Sequence, residues 1–250
     1  MNSKIETSVI LFGILEESSK NYRKLSKKSL GVLLVKNDDR YVLPSFEAKE
    51  AKDLDEQSYL AVSNCTGLKD IYVEQLYTFS YVDGDCLYIN PSFLGLISKK
   101  QMYDGLKDNC YWSKLKIEEN KNGYKCMVVN EVDCFEFEVS KKLKEHTTDR
   151  YKFSEVNSGL LSDGISVILM SAFERLRNKI NYTDIVFNMM DEKFTIKELQ
   201  QVYETIKNKK LLDAAFRRSI ADKIVETEEI LTGVGCRPSK IYKYKEKDYE

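Results

Sequence analysis

The sequence predicts an α+β fold, and three observations predict it. The first 140 of its 250 residues carry apolar, β-branched runs of strand type, with one helical period among them. The longest helical pattern, residues 160–180, comes after that strand-rich part. Residues 195–244 then hold two short helical periods, a lysine-bearing connector and a β-rich tail with Gly-Val-Gly and Arg-Pro. That last order is the outline of a winged helix-turn-helix.

Residues 8–15 (SVILFGIL) are β-branched and apolar and read as a strand, and the polar run 16–28 as an exposed loop. A second buried strand is expected at 29–35 (SLGVLLV), a turn at Asn37-Asp38-Asp39, and a short strand at Tyr41-Val42-Leu43 that Pro44 closes. Residues 53–66 (DLDEQSYLAVSNCT) have a helical period with Leu54, Tyr59 or Leu60, and Val62 facing inward, and Gly67 is the stop. Residues 71–82 (IYVEQLYTFSYV) form an aromatic-rich strand, Asp83-Gly84-Asp85 a turn, and the sheet resumes at Cys86 and through 93–97. Lys121-Asn122-Gly123 is a hairpin turn between 115–117 and 124–129; 132–139 (VDCFEFEV) is a further strand, and 140–157 a polar loop or short helix. The 160–180 helix turns its apolar half inward and ends in Lys and Arg, which suit the negative end of its dipole. Asn181-Tyr182-Thr183 breaks it, and 184–190 is a short helix or turn.

In the C-terminal module Thr195 caps a helix and Glu198 completes a capping box, with Leu199, Val202, Tyr203 and Ile206 on the apolar face. Asn208-Lys209-Lys210 makes the turn. Residues 212–224 are the expected recognition helix, burying Phe216, Ile220 and Ile224 and turning Arg217 and Arg218 to the major groove. Residues 230–231 and 241–244 are the wing strands, with Arg237 and Lys240 at or near the tip. Lys209, Lys210, Lys240 and Lys243 are expected at phosphates, which position the protein without reading sequence. Any one of these side chains read alone is a solvated surface group; the cluster on this topology points to double-stranded operator DNA as a partner.

Composition narrows the classes. The apolar fraction of 42% suffices for a core, and near-balanced charge, net −1, argues against disorder and against a non-specific basic coat. Residues 194–245 nevertheless carry 11 Lys and Arg against 7 Asp and Glu, a basic module on an acidic body. The six cysteines (65, 86, 110, 126, 134, 236) form no C-x-x-C pair and the one histidine is His146, so no Cys/His metal site is expected. No signal segment and no apolar run of about 18 residues is seen, so a cytoplasmic protein without a membrane partner is expected.

Several runs together resemble the Nudix-related transcriptional regulators, which join a Nudix-fold domain to a C-terminal winged helix. They are VEQLYTF (73–79), Asp163 followed by FERLRNKINYTDIVFNMM (173–190), FTIKELQQVYETI (194–206), FRRSI (216–220) and GCRPSKIYKY (235–244). Leu43-Pro44 and the helix ending in Thr66-Gly67-Leu68 add to them. The resemblance implies a Nudix-like α/β/α sandwich with a mixed sheet over 1–157, connecting helices over 158–190 and a winged helix-turn-helix over 191–250. It also implies a regulator that binds its operator as a homodimer. Its affinity would change when a small-molecule effector, a nucleotide-sugar, an ADP-ribose-like molecule or a sugar, fills the Nudix fold.

A working Nudix hydrolase carries the box G-x5-E-x7-R-E-U-x-E-E-x-G-U, with U a bulky apolar residue. Its helical glutamates share one face and hold hard divalent cations against a diphosphate. Anchored on Gly67-Leu68, this chain places Ala61, Asn64 and Cys65 at those glutamates, Leu60 at the arginine, Lys52 at the earlier glutamate and Phe46 at the first glycine. A methyl, an amide, a thiol and an amine make no oxygen cage, so no catalytic residue, metal or cofactor is expected. A rebuilt site on Glu47, Glu50, Asp53 or Asp55 is the other possibility, and a solvated loop accounts for the same acids. Gln75, Tyr77 and Phe79 share a strand face and, with Phe46, are the ligand-binding candidates; core packing is the competing role for Tyr77 and Phe79. The acidic Asp83-Gly84-Asp85 loop lacks the arginine expected beside a diphosphate and leaves room for a neutral ligand. Two other functions stay open: a Nudix hydrolase of nucleoside diphosphate derivatives with an appended winged helix, and a winged helix used for protein contact.

Overall fold

The computed structural model describes residues 2–17, 26–48, 52–102, 105–143, 151–232 and 238–245. Ten strands form one sheet: β1 (Asn2–Glu17), β2 (Lys27–Asn37), β3 (Arg40–Val42), β4 (Ser45–Glu47), β5 (Tyr72–Asp83), β6 (Cys86–Leu96), β7 (Cys110–Asn120), β8 (Gly123–Val129), β9 (Cys134–Leu143) and β10 (Tyr151–Asn157). The order is β10-β9-β8-β7-β2-β1-β6-β5, with β3 on β2 and β4 on β1. β1 runs parallel to β6 and the other pairings are antiparallel, so the sheet is mixed.

The period of two along β1 builds a layer on each face. Val9 and Leu11 pack with Ala61, Val62 and Cys65 of helix α1 (Leu54–Thr66). Ile10, Phe12 and Ile14 pack with Ile168, Leu169 and Phe173 of helix α2 (Ile165–Lys179). The result is the expected α/β/α sandwich. The Asp53 side chain caps α1 by accepting from the Glu56 N–H at 2.8 Å, and Gly67 ends it with φ 73°.

The C-terminal module comprises α3 (Ile196–Lys207), α4 (Asp213–Ile220), β11 (Ile224–Leu231) and β12 (Ser239–Tyr244), after a 3-10 turn at Ile185–Met189. The capping box forms: the Thr195 hydroxyl accepts from the Glu198 N–H, and the Glu198 carboxylate accepts from the Thr195 N–H. Leu199, Val202, Tyr203 and Ile206 are buried as expected. Asn208 takes the left-handed conformation, φ 50°, that the turn requires. The module sits against the sheet, because its buried face belongs to the same apolar cluster as α2.

Four expectations are corrected and one alternative is resolved. The charged run after residue 15 does not all loop out: β1 reaches Glu17 and β2 begins at Lys27, with Glu16 opposite Lys28 and paired to it at 2.5 Å. Residues 18–25 lie outside the described residues. Within 140–157, β9 continues to Leu143 and β10 is a further strand, held by Ser154 opposite Ser140 and by Phe153 against the core. Helix α2 starts at Ile165 instead of 160, because Gly164 is left-handed (φ 78°) and Leu161 bridges to Tyr41 as an extended residue. In α1 it is the half-buried Leu60 and not Tyr59 that turns inward with Leu54 and Val62: Tyr59 is 39% exposed, and Ala61 and Cys65 widen the buried face. The recognition helix stops at Ile220 instead of 224, because Ile224 is claimed by β11, opposite Tyr244. No helix among the described residues is long and apolar enough to cross a membrane.

Candidate functional site

A cavity of about 680 Å³ opens on the α2 face of the sheet. Its floor is Glu6 and Ser8 of β1, Ser45 of β4, Phe79 and Tyr81 of β5, and Asn90 of β6; its roof is the chain from Ser162 into the first turn of α2. Register explains the floor. Ser8 lies opposite Ser45, and Phe79 opposite Asn90, so these side chains share one face. Asn90 Nδ2 donates to Ser8 Oγ at 2.7 Å, and Ser45 Oγ donates to Glu6 Oε1 at 2.5 Å. Tyr81 stacks on Tyr88 with ring centroids 4.8 Å apart, yet stays 61% exposed. The lining offers two carboxylates, Glu6 and Asp163, with several hydroxyls and two aromatic rings, and none of its described residues is Lys or Arg. Such a lining accepts hydrogen bonds from hydroxyls and stacks on rings, and disfavours a naked anion.

The four ligand-binding candidates are not brought together. Phe79 lines this cavity, and Tyr77 stands edge-on to it at 6.2 Å, capped by the Arg175 guanidinium 5.0 Å above the ring. Gln75 is separated from them by a β-bulge between Gln75 and Tyr77, with the buried Leu76 inside it. Val73 packs toward α1, and the strand period puts Gln75 on that side too. Phe46 also packs on the α1 side. The candidates missed by sequence are Glu6, Ser8, Ser45, Tyr81 and Asn90. A signal existed in the polar side chains at Glu6 and Ser8, at the head of an otherwise apolar strand.

The box positions on α1 have a different character. Ala61 (0% exposed) and Cys65 (8%) are buried among Val9, Leu11 and Cys110, Asn64 is exposed apart from them, and Leu60 is half-buried. Lys52 pairs with Glu56 at 2.8 Å. Asp53 serves as the cap of α1 and Asp55 is exposed, while Glu50 lies outside the described residues. Among the described residues no group of three or more His, Cys, Asp or Glu is placed to hold a metal ion.

On the winged helix, Phe216 and Ile220 bury one stripe of α4, Phe216 edge-on to Tyr203 at 5.3 Å, and Arg217 and Arg218 stand exposed beside it. Lys209 is exposed in the turn. Lys210 pairs with Glu204 at 2.6 Å and Lys240 with Glu226 at 2.7 Å. Both lysines keep most of their surface in water, and such pairs exchange readily for a phosphate. Lys243 lies away from the wing tip, in a cleft of about 900 Å³ between β12, the 3-10 turn and the end of α2. Arg237 lies outside the described residues.

Comparison with known proteins bears on both parts. Residues 186–244 match the family model of the NrtR DNA-binding winged helix domain. A curated relative, the ADPR responsive transcriptional repressor NtrR of Acinetobacter baylyi, is 37% identical over 84 residues, covering 33% of this chain. The chain spans about a third (34%) of that relative's length. The solved structure of Shewanella oneidensis NrtR complexed with a 27mer DNA has a TM-score of 0.64 at 19% identity, covering 96% of this chain and 93% of that one. A MutT/nudix family protein from Enterococcus faecalis has a TM-score of 0.70 at 19% identity, over 98% and 87% of the two chains. At these identities the structures speak to fold: a Nudix-like domain followed by a winged helix, along nearly the whole chain. Together with the winged-helix match they bear out the resemblance to the Nudix-related regulators.

Proposed function

We propose that the chain is a ligand-responsive, DNA-binding transcriptional regulator whose Nudix-like domain senses and does not hydrolyse. One observation carries this reading. The winged helix, with Arg217 and Arg218 exposed, is seated on the same sheet that forms the cavity, while the box helix has turned Ala61 and Cys65 into core. Arg217 and Arg218 read base edges, Lys209, Lys210 and Lys240 meet phosphates, and Arg237 is a further DNA-binding candidate from the sequence. Lys243, expected at a phosphate too, suits that task less from its place in the cleft.

The effector is a nucleotide-sugar, an ADP-ribose-like molecule or a sugar, bound in the cavity over Phe79 and Tyr81. The lining favours its hydroxyl-rich part, with Glu6, Asp163 and Asn90 hydrogen-bonded to ribose-like hydroxyls. The name of the Acinetobacter relative supports an ADP-ribose-like effector. We place the regulator in the cytoplasm, acting as a homodimer on paired half-sites.

The reading is tested by two assays on the full chain. Genomic fragments selected for binding should share an operator, and ADP-ribose with magnesium should not be turned over. Magnesium-dependent hydrolysis would restore the hydrolase reading, and failure to select any fragment would favour a protein partner for the winged helix.

A further inference from the structure

Helix α4 is eight residues long, buries only Phe216 and Ile220, and starts at Leu212 without a side-chain cap. A helix of that length is marginal in water alone, so contacts with its neighbours place it. The two buried side chains lie in its middle and at its end, and they seat that part on Tyr203 and the core. The first turn is held differently. Gln200 and Glu204, one turn apart on α3, both reach it. The Gln200 amide nitrogen donates to the Leu211 carbonyl at 3.1 Å and to Asp213 Oδ1 at 2.8 Å, and lies 3.4 Å from Glu204 Oε1. Glu204 Oε1 accepts from the Leu211 N–H at 2.9 Å. The N–H and the carbonyl of Leu211 are thus both held by α3, and so is the side chain of the first residue of α4. We propose that Gln200 is a positioning residue for sequence reading, whose amide clamps the first turn of α4 at the angle at which that helix meets bases.

The proposal rests on the reading of α4 as the DNA-recognition helix. Gln200 is 8% exposed and lies beneath that helix, so it acts through Leu211 and Asp213 and touches no base itself. The N-terminal residues of a recognition helix make the base-edge contacts. Those contacts are hydrogen bonds of narrow geometry, whereas a lysine meets a phosphate as a point charge on a flexible stem. A first turn that can swing therefore loses the base contacts and spares the phosphate contacts. An apolar side chain at position 200 would fill the same space without the cost of burying an amide. It would also release the Leu211 carbonyl and the Asp213 carboxylate, and leave Phe216 and Ile220 to hold α4 by one stripe.

The test compares the affinity of the full chain for a selected operator fragment and for an unrelated duplex of equal length. Gln200→Met keeps the length of the side chain and removes its amide. It should weaken operator binding by about tenfold and leave the unrelated duplex within about twofold, so that the ratio of the two falls. Asp213→Asn still offers Gln200 an accepting oxygen and should keep the ratio, whereas Asp213→Ala should lower it. Gln200→Met combined with Asp213→Ala should lose little more than either change alone. Asp213 is exposed, so the comparison of its two variants decides the matter even where Gln200→Met does not fold. An unchanged ratio in Asp213→Ala or in folded Gln200→Met, equal losses on both duplexes, or fully additive losses would overturn the proposal and leave the regulator reading standing. A wild-type chain that prefers no fragment would overturn both.

Discussion

Asn208 Nδ2 donates to the carbonyl of Ile117 at 3.2 Å, and this bond ties the turn of the winged helix to strand β7 of the sensor sheet. Three residues earlier, less than one helical turn away, Thr205 Oγ1 reaches the carbonyl of Lys28 on the neighbouring strand β2 at 3.4 Å. These contacts join the DNA-reading module to the backbone of the sheet that floors the cavity. Asn208→Gly keeps the left-handed turn while deleting the side-chain bond. The variant should bind operator and effector each within about twofold of wild type, while the factor by which one changes the other shrinks several-fold. Retardation of operator DNA with and without effector checks this.

Arg217→Ala with Arg218→Ala should remove operator binding, or weaken it by at least about tenfold, and lower the dependence of affinity on salt if either arginine also meets a phosphate. Both side chains are exposed, so the melting temperature should stay near wild type. Unchanged affinity in the folded double variant would remove α4 from the interface.

Tyr81→Ala tests the cavity without undermining the core, because Tyr81 is 61% exposed and stacks on Tyr88 across the strand pair. Loss of one stacking ring should weaken the effector by about 0.5–1.5 kcal/mol. Calorimetric titration should show that loss with little change in melting temperature.

Glu16 gives a pH dependence of known sign. Burial raises its carboxyl, but hydrogen bonds from Lys28 and Lys99 and their charges outweigh burial and lower it from 4.5 to about 2. A depressed folded pKa contributes stability that is present above pH 4.5 and lost as the pH falls toward 2. Glu16→Gln should therefore be less stable at pH 7, by roughly 1 kcal/mol once solvent screening of this part-exposed pair is allowed for, and lose less stability than wild type on acidification. Melting curves from pH 7 downward measure both.

Where local chemistry decides a structure, the residues announced it. Thr195 with Glu198, Gly67 after a helical period, and Asn122-Gly123 between strands each specify their feature within a few positions, and each appears. What was missed depends on distant partners. Strand β10 looks polar alone and is held by pairing with β9, and α2 loses its first turn to the bridge between Leu161 and Tyr41. The candidate site suffered most from one residue. The bulge around Leu76 reverses the face on which Gln75 and Tyr77 stand, and no turn-forming residue marks it. Glu6 and Ser8 became a cavity floor through register with Ser45, which a single strand does not reveal.

The most direct test of a sensor joined to a DNA-binding head is operator affinity with the cavity empty and filled. An effector is first found as the nucleotide or sugar that raises the melting temperature of the wild type but not of Tyr81→Ala. Anisotropy of a labelled operator fragment should then shift in affinity by about 5-fold or more on saturation with that effector, and Tyr81→Ala should not respond. The same affinity for operator with the cavity saturated and empty would contradict the proposed role.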